Sequence, residues 1–115
     1  YRIDTLGYFR KTMELTNLSD TVVPIVSTSE TVARMWLTPL ALVFIDGGHA
    51  YETVFRDYVC WSRHIIPGGY LLIHDIFTEP ADGGQAPYQV YQLALQSGLF
   101  EAMPTRKTLG ILRRR

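Results

Sequence analysis

Two short runs of consecutive apolar residues constrain the fold of this chain more than any other feature. Leu40–Ile45 and residues 70–73 are continuously apolar, a pattern typical of strands covered on both faces, as in a parallel sheet. Between them, residues 50–66 carry apolar side chains at the spacing of an amphipathic helix. A strand, a helix and a second strand in this order predict two parallel neighbours joined by a right-handed crossover.

The rest of the chain extends this alternation of helices and strands. Residues 21–26 are rich in β-branched side chains and predict a short strand, despite Pro24. The last two predicted strands follow one another and would form an antiparallel edge hairpin. The fold predicted is α/β, with an open, doubly wound, mostly parallel sheet. The further predicted helices are residues 4–18, 29–36 and 87–96, and the last two strands are residues 100–103 and 108–112.

The composition excludes several classes of protein and partner. Eleven Lys and Arg balance eleven Asp and Glu, which argues against a broadly basic surface for nucleic acid. The single Cys60 excludes an internal disulfide framework and a Cys-rich zinc site, and it is compatible with a reduced setting. No apolar run approaches the roughly 18 residues of a transmembrane helix. We therefore expect a cytoplasmic protein that binds neither nucleic acid nor membrane.

Ionisable side chains follow both apolar runs. Asp46 and His49 come after the first run, and His74 and Asp75 come after the second. Ligands of open α/β sheets bind at the carboxyl ends of the strands, and neighbouring strands lie about 4.8 Å apart. Two carboxylates so close repel each other unless a cation, a proton or distance separates them. An Asp in such a loop is also a common turn former, so spacing alone leaves a structural role open.

If the two strands are neighbours, this edge of the sheet has the chemistry of a metal site. Carboxylate oxygens are preferred ligands of Mg²⁺, Ca²⁺ and Mn²⁺. A neutral imidazole beside such an ion, such as that of His49, is suited to accept a proton from a hydroxyl group. The alternative is that each His is an ordinary surface or core residue.

Two segments carry a resemblance to a known family. Residues 42–52 read LVFIDGGHAYE and residues 67–75 read PGGYLLIHD, with Asp57 and Trp61 between them. They resemble class I S-adenosylmethionine-dependent methyltransferases, and within these the small-molecule O-methyltransferase-like group with IDG-x-H-x-Y and PGG…HD strand ends. The resemblance covers about residues 9–112. It implies a Rossmann-like fold and methyl transfer from S-adenosylmethionine to a hydroxyl group of a small molecule.

The resemblance also implies roles for individual residues. Ser29 and Glu30 match the place that contacts the adenine of the cofactor, although both also suit a helix N-terminus. Asp46 matches the acidic residue near the methionine part of the cofactor, and with Asp75 it matches the metal ligands, for Mg²⁺, of metal-dependent members. His49 matches a general base of metal-dependent sugar O-methyltransferases.

This sequence departs from the family pattern at two positions beside Asp75. His74 stands where some metal-dependent relatives have an acidic residue. Ile76 stands where catechol-type members have Asn. The resemblance therefore implies methyl transfer more directly than it implies a metal. Two alternatives stay open, namely a related metal-dependent, hydroxylase-like enzyme and a non-catalytic module on the same fold.

One expected feature of the family is missing from this sequence. No Gly-rich turn precedes a helix near the start, where such enzymes approach the methionine part of the cofactor. We therefore expect residues 1–115 to be one domain that lacks its first strands, the later part of a larger methyltransferase domain. An exposed edge hairpin would also allow pairing between subunits in a homo-oligomer.

Overall fold

The computed structural model describes residues 5–48 and 50–115. Helices and strands alternate through most of this part of the chain, as the sequence predicts. A short 3₁₀ helix, Pro80–Asp82, precedes the last α-helix. In chain order the elements are α1 (Leu6–Thr16), α2 (Ser29–Met35), β1 (Leu40–Ile45), α3 (Tyr51–Ser62), β2 (Ile65–Ile73), α4 (Ala86–Gln96), β3 (Phe100–Ala102) and β4 (Gly110–Arg114).

The four described strands form one sheet in the order β1-β2-β4-β3. Strands β1 and β2 are parallel, while β4 is antiparallel to both β2 and β3. Three strands therefore point the same way and β4 points the other way. This confirms the predicted α/β fold class, a mostly parallel sheet with an antiparallel hairpin at one side.

The core lies on one face of this sheet. Ile45, Leu71, Ile73 and Leu112 are buried on that face against Val54 of α3 and two residues of α4, Val90 and Ala94. Burial of one such aliphatic side chain stabilises the fold by about 1.5–3 kcal/mol. The closely packed core fixes where β1 and β2 end relative to each other.

The opposite face of β1 corrects one expectation from the sequence. The apolar run predicted cover on both faces, but Leu42 and Phe44 are each 52% exposed. Successive side chains of a strand point to opposite faces, and the helices packed into the described core lie on the face of Val43 and Ile45. In the described part of the chain, β1 is therefore covered on one face.

Residues 21–26 correct a second expectation, because they do not form a strand. A strand needs a neighbour that satisfies its backbone groups, and none of the four described strands pairs with this segment. The side chains of Val23 and Val26 are largely exposed. The prediction of a strand from the β-propensity of residues 21–26 alone was therefore wrong.

The third correction concerns the end of the helix predicted over residues 50–66 and the start of the strand predicted at residues 70–73. Helix α3 ends at Ser62, and β2 begins at Ile65 and runs through residues 67–69. Leu40 pairs with Ile65 and Leu42 with Tyr70, so four residues of β2 oppose one of β1. Glycine is needed in this bulge: Gly68 has φ +84°, and a Cβ on Gly69 would lie 2.9 Å from the carbonyl oxygen of Ala41.

No helix within residues 5–48 and 50–115 combines the length and the apolar character that crossing a membrane requires.

Candidate functional site

The parallel pairing of β1 and β2 brings the ends of these strands together. Ile45 pairs with Ile73, and the backbone N–H of His74 donates a hydrogen bond to the carbonyl oxygen of Ile45 at 3.1 Å. The ladder thus continues to the point where both strands end. Asp46 on one strand and the pair His74–Asp75 on the other therefore lie at the same edge of the sheet, as predicted from the sequence.

The backbone conformation of Asp75 allows the side chains of two consecutive residues, His74 and Asp75, to lie at the same site. Side chains alternate along a regular strand, which would separate those of His74 and Asp75. Asp75 instead has φ +62°, a left-handed conformation that Asp adopts more readily than most residues. Such a conformation costs of order 1–3 kcal/mol and is typical of functional sites. The chain tolerates that cost where Asp75 meets His74.

We call Asp46, His74 and Asp75 the strand-end cluster. The Nδ1 atom of His74 lies 3.1 Å from Oδ1 of Asp46 and 3.1 Å from Oδ1 of Asp75. One potential ligand atom from each residue lies within 4.8 Å of the other two. The side chains are partly open to solvent, with 53%, 42% and 25% of the Asp46, His74 and Asp75 surfaces exposed. The cluster is therefore accessible to a ligand.

The ring nitrogen at the centre of the cluster lacks a directed partner. Nδ1 of His74 is itself buried, and neither of its short contacts with Asp46 and Asp75 has the geometry of a hydrogen bond. Buried polar atoms are nearly always hydrogen-bonded, so each exception requires an explanation. The ring also packs edge-on against Phe44, with ring centres 6.3 Å apart. The imidazole is thus held in place by packing rather than by a hydrogen bond from Nδ1.

The predicted catalytic residue, His49, lies outside the described residues. Its role as a general base therefore stays a prediction from the sequence.

Ser29 and Glu30, the predicted adenine contacts, stand at the start of α2 and are both engaged within the protein. The Ser29 hydroxyl donates a hydrogen bond to Oδ1 of Asp57 at 2.6 Å, and Glu30 pairs with Nε of Arg56 at 2.7 Å. The helix cap itself is Thr28, whose hydroxyl accepts from the backbone N–H of Thr31. Both residues therefore tie α2 to α3.

Asp57 connects two of the predicted cofactor positions. One of its oxygens accepts from Ser29. The other faces Gly47, the neighbour of Asp46, where a Cβ added to the glycine would lie 3.1 Å from Oδ2. Asp57 is half-buried. Asp57 of α3 therefore lies between the Ser29 segment, to which it is hydrogen-bonded, and the loop after β1, which it approaches closely at Gly47.

We expect the Ser29–Asp57 hydrogen bond to be measurable as a coupling free energy. Hydrogen bonds to charged groups contribute about 1.5–3 kcal/mol, and the partial exposure here lowers the expected coupling to about 1 kcal/mol. Urea unfolding of Ser29→Ala, Asp57→Ala and the double variant gives this value as a double-mutant cycle. Additive effects of the two substitutions would contradict the coupling. Thr31→Ala is the matched control, since its hydroxyl contacts Thr28 and not Asp57.

His74 and Asp57 are the two site residues for which the sequence predicted no individual functional role. The signal for His74 was its place directly before Asp75 at a strand end. Whether the side chain of His74 faces Asp46 depends on the left-handed backbone conformation of Asp75, which no sequence pattern predicts. For Asp57 the signal was weaker, because its contact with Ser29 joins residues 28 positions apart.

Several solved structures share this fold. The Streptococcus mutans protein SMU.1697c, assigned as a methyltransferase and solved with S-adenosylhomocysteine (SAH), is 15% identical, with TM-score 0.70 over 99% of this chain and 72% of its own. An O-methyltransferase family protein from Burkholderia thailandensis is 17% identical, with TM-score 0.66 over 96% and 41%. The MycE methyltransferase of mycinamycin biosynthesis, solved with Mg, SAH and mycinamycin VI, is 22% identical, with TM-score 0.50 over 75% and 28%.

These structural similarities establish the fold. A match to a protein family establishes the family to which the chain belongs. The family described as a methyltransferase domain matches residues 2–76 of this chain. The matched segment contains β1, α3 and β2, with all three members of the strand-end cluster. The predicted enzyme class is thereby confirmed: the chain belongs to the methyltransferase domain family.

Proposed function

We propose that this methyltransferase transfers the methyl group of S-adenosylmethionine to a hydroxyl group of a small molecule, with a divalent cation held by Asp46 and Asp75. The observation that carries the proposal is the meeting of these two carboxylates at the carboxyl edge of the sheet in a methyltransferase domain. Open α/β sheets bind their ligands at this edge. A charge-neutral chain with few basic clusters also suits a small acceptor better than a polyanion.

The strand-end cluster fits a cation chemically. It offers two carboxylates and an imidazole nitrogen, and the nitrogen has no hydrogen bond that a cation would have to break. Asp46 and Asp75 would hold the ion, for which the sequence resemblance implies Mg²⁺. When bound, such an ion makes a neighbouring hydroxyl group more acidic and orients it.

Three residues are proposed to contact the cofactor, which supplies an electrophilic methyl group on a sulfonium. Ser29 uses its one proton on Asp57, so its hydroxyl is left to accept a hydrogen bond, for example from an amino group of adenine. Glu30 keeps a carboxylate oxygen that is not the one paired with Arg56. Asp46 supplies negative charge near the α-ammonium of the methionine part. The SAH found in SMU.1697c and MycE supports this choice of cofactor.

The remaining step is removal of the proton from the acceptor hydroxyl. We assign it to His49, from the IDG-x-H motif in which it stands. General base catalysis of this kind contributes roughly 10²–10⁴-fold to the rate. The protein otherwise acts by holding acceptor and cofactor in line, and orientation of this kind can lower a barrier by up to about 7–11 kcal/mol.

Calorimetry on the full-length protein tests the cofactor. We expect S-adenosylmethionine and SAH to bind, and Asp46→Asn to weaken the binding, because the carboxylate charge near the ammonium is lost. The matched control is Asp20→Asn, which removes an exposed carboxylate from the loop after α1. The absence of binding at millimolar cofactor would contradict the proposal. The product mass then separates methyl transfer from hydroxylation, since a hydroxylase-like enzyme adds an oxygen instead of a methyl group.

A further inference from the structure

His74, the third member of the strand-end cluster, has a further role that deepens the proposed function and rests on it. Metal-dependent relatives with an acidic residue before the matching Asp would present only oxygen ligands there. This chain has His74 at that position. Its Nδ1 atom faces both carboxylates and not solvent.

The spacing of the donor atoms is that of neighbouring ligands on one ion. Two donors about 2.1–2.2 Å from a metal, at right angles to each other, lie about 3.0–3.1 Å apart. The two distances from Nδ1 of His74 to the carboxylate oxygens are both 3.1 Å. Nδ1 has a single in-plane direction for a proton or a lone pair, so it cannot direct a hydrogen bond at both oxygens. A single cation satisfies all three donors together.

The chemistry of the donors decides which cation they prefer. Mg²⁺ strongly prefers oxygen and keeps several waters. Imidazole nitrogen suits first-row transition metals, whose affinity for mixed nitrogen and oxygen sites rises from Mn²⁺ towards Ni²⁺ and Zn²⁺. A site of two carboxylates and one imidazole therefore differs in selectivity from one made of three carboxylates.

We propose that His74 is a metal ligand and that it sets the selectivity of the strand-end cluster, in favour of a transition-metal dication over Mg²⁺. The ring is positioned for this role by its edge-on packing against Phe44 and by the backbone hydrogen bond of His74 to Ile45. Asp46 and Asp75 supply the negative charge that attracts a cation, and His74 supplies the nitrogen ligand that discriminates between transition metals and Mg²⁺.

Binding of the metals alone to the full-length protein tests the proposal. Calorimetry with Co²⁺ and with Mg²⁺ gives two dissociation constants and their ratio. We expect His74→Gln to weaken Co²⁺ binding by at least roughly tenfold to a hundredfold, which is the loss seen when a residue that only hydrogen-bonds to a metal ligand is replaced. Mg²⁺ binding should change by less than about threefold. His74→Glu replaces the nitrogen by a carboxylate and is expected to shift the ratio towards Mg²⁺. The two variants move the ratio the same way, but only the second adds a negatively charged oxygen ligand.

The control variant is His64→Gln, which removes an imidazole at the other end of the sheet, where the carbonyl of His64 accepts from Leu40. It is expected to leave both constants unchanged. Pulsed EPR with Mn²⁺ gives a direct reading: nitrogen coupling from a bound imidazole in the wild type, lost in His74→Gln and kept in His64→Gln. Circular dichroism confirms that each variant is folded. If His74→Gln does not fold, the wild-type nitrogen coupling and the His74→Glu ratio decide.

An unchanged Co²⁺-to-Mg²⁺ ratio in folded His74→Gln and His74→Glu would overturn the proposal, as would Mn²⁺ bound without nitrogen coupling. In both cases the metal is held by the carboxylates and the proposed function stands. If no divalent cation binds at millimolar concentration, both His74 as a ligand and the metal of the proposed function are ruled out. The calorimetry with S-adenosylmethionine then decides separately whether methyl transfer stands.

Discussion

Asp46→Asn is expected to lower kcat/KM for methyl transfer by at least about 100-fold. The substitution keeps the size of the side chain and one oxygen, but it removes the negative charge from a residue proposed to hold the cation and to face the cofactor. When bound, such a cation would stabilise charge that develops in the transition state by several kcal/mol, and each 1.4 kcal/mol corresponds to a factor of about ten in rate. Initial rates at saturating and at limiting cofactor separate the contribution of Asp46 to holding the cation from its contribution to binding the cofactor.

Asp20→Asn is again the control for this measurement, and its activity should equal that of the wild type. The wild type should also lose activity in excess chelator and regain it when a divalent cation is restored. If chelator leaves the rate unchanged while Asp46→Asn is inactive, Asp46 acts on the cofactor alone. Full activity of Asp46→Asn would refute a role for the strand-end cluster in the reaction.

The meeting of Asp46 and Asp75 was predictable because it follows from connectivity. A strand, a helix and a strand form a parallel pair, and parallel pairing places both carboxyl ends at one edge. The buried positions Ile45 and Ile73 then set the register, because a slip by one residue would turn them out of the core. Each step of this prediction used residues close together in sequence or a rule that allows few exceptions.

The failures of prediction have the opposite cause. Residues 21–26 have the composition of a strand, but a strand exists only where a partner supplies hydrogen bonds. The early start of β2 at Ile65 depends on a bulge opposite Ala41, and Gly69 permits it through a close backbone approach that no local pattern reveals. Both outcomes depend on contacts made elsewhere in the molecule.

The same reasoning applies to the candidate site. The sequence indicated the strand ends but left open which side chains face one another. The left-handed conformation at Asp75 decides that His74 joins the cluster. The packing of α2 on α3 decides that Ser29 meets Asp57. Such details depend on backbone geometry and helix packing, and they determine which proposed roles can be tested by substitution.

His49→Gln is the second substitution for which we expect a large effect. If the imidazole removes the proton of the acceptor hydroxyl, kcat should fall roughly 10²–10⁴-fold, because Gln can hold a hydrogen bond but cannot accept a proton. The wild-type rate should rise with pH as the imidazole becomes neutral, and this rise should vanish in the variant.

Cofactor and metal affinities distinguish loss of a base from loss of the site. In His49→Gln they should stay within about threefold of the wild-type values, since a general base acts on the transition state rather than on ground-state binding. His64→Gln, which removes an imidazole far from the strand ends, should keep both the rate and its pH dependence. A variant at His49 that retains the wild-type pH profile would show that another group accepts the proton. One that loses rate and cofactor binding together would place His49 in binding. The base can therefore be identified only when the rate falls, the pH dependence disappears and both affinities are retained.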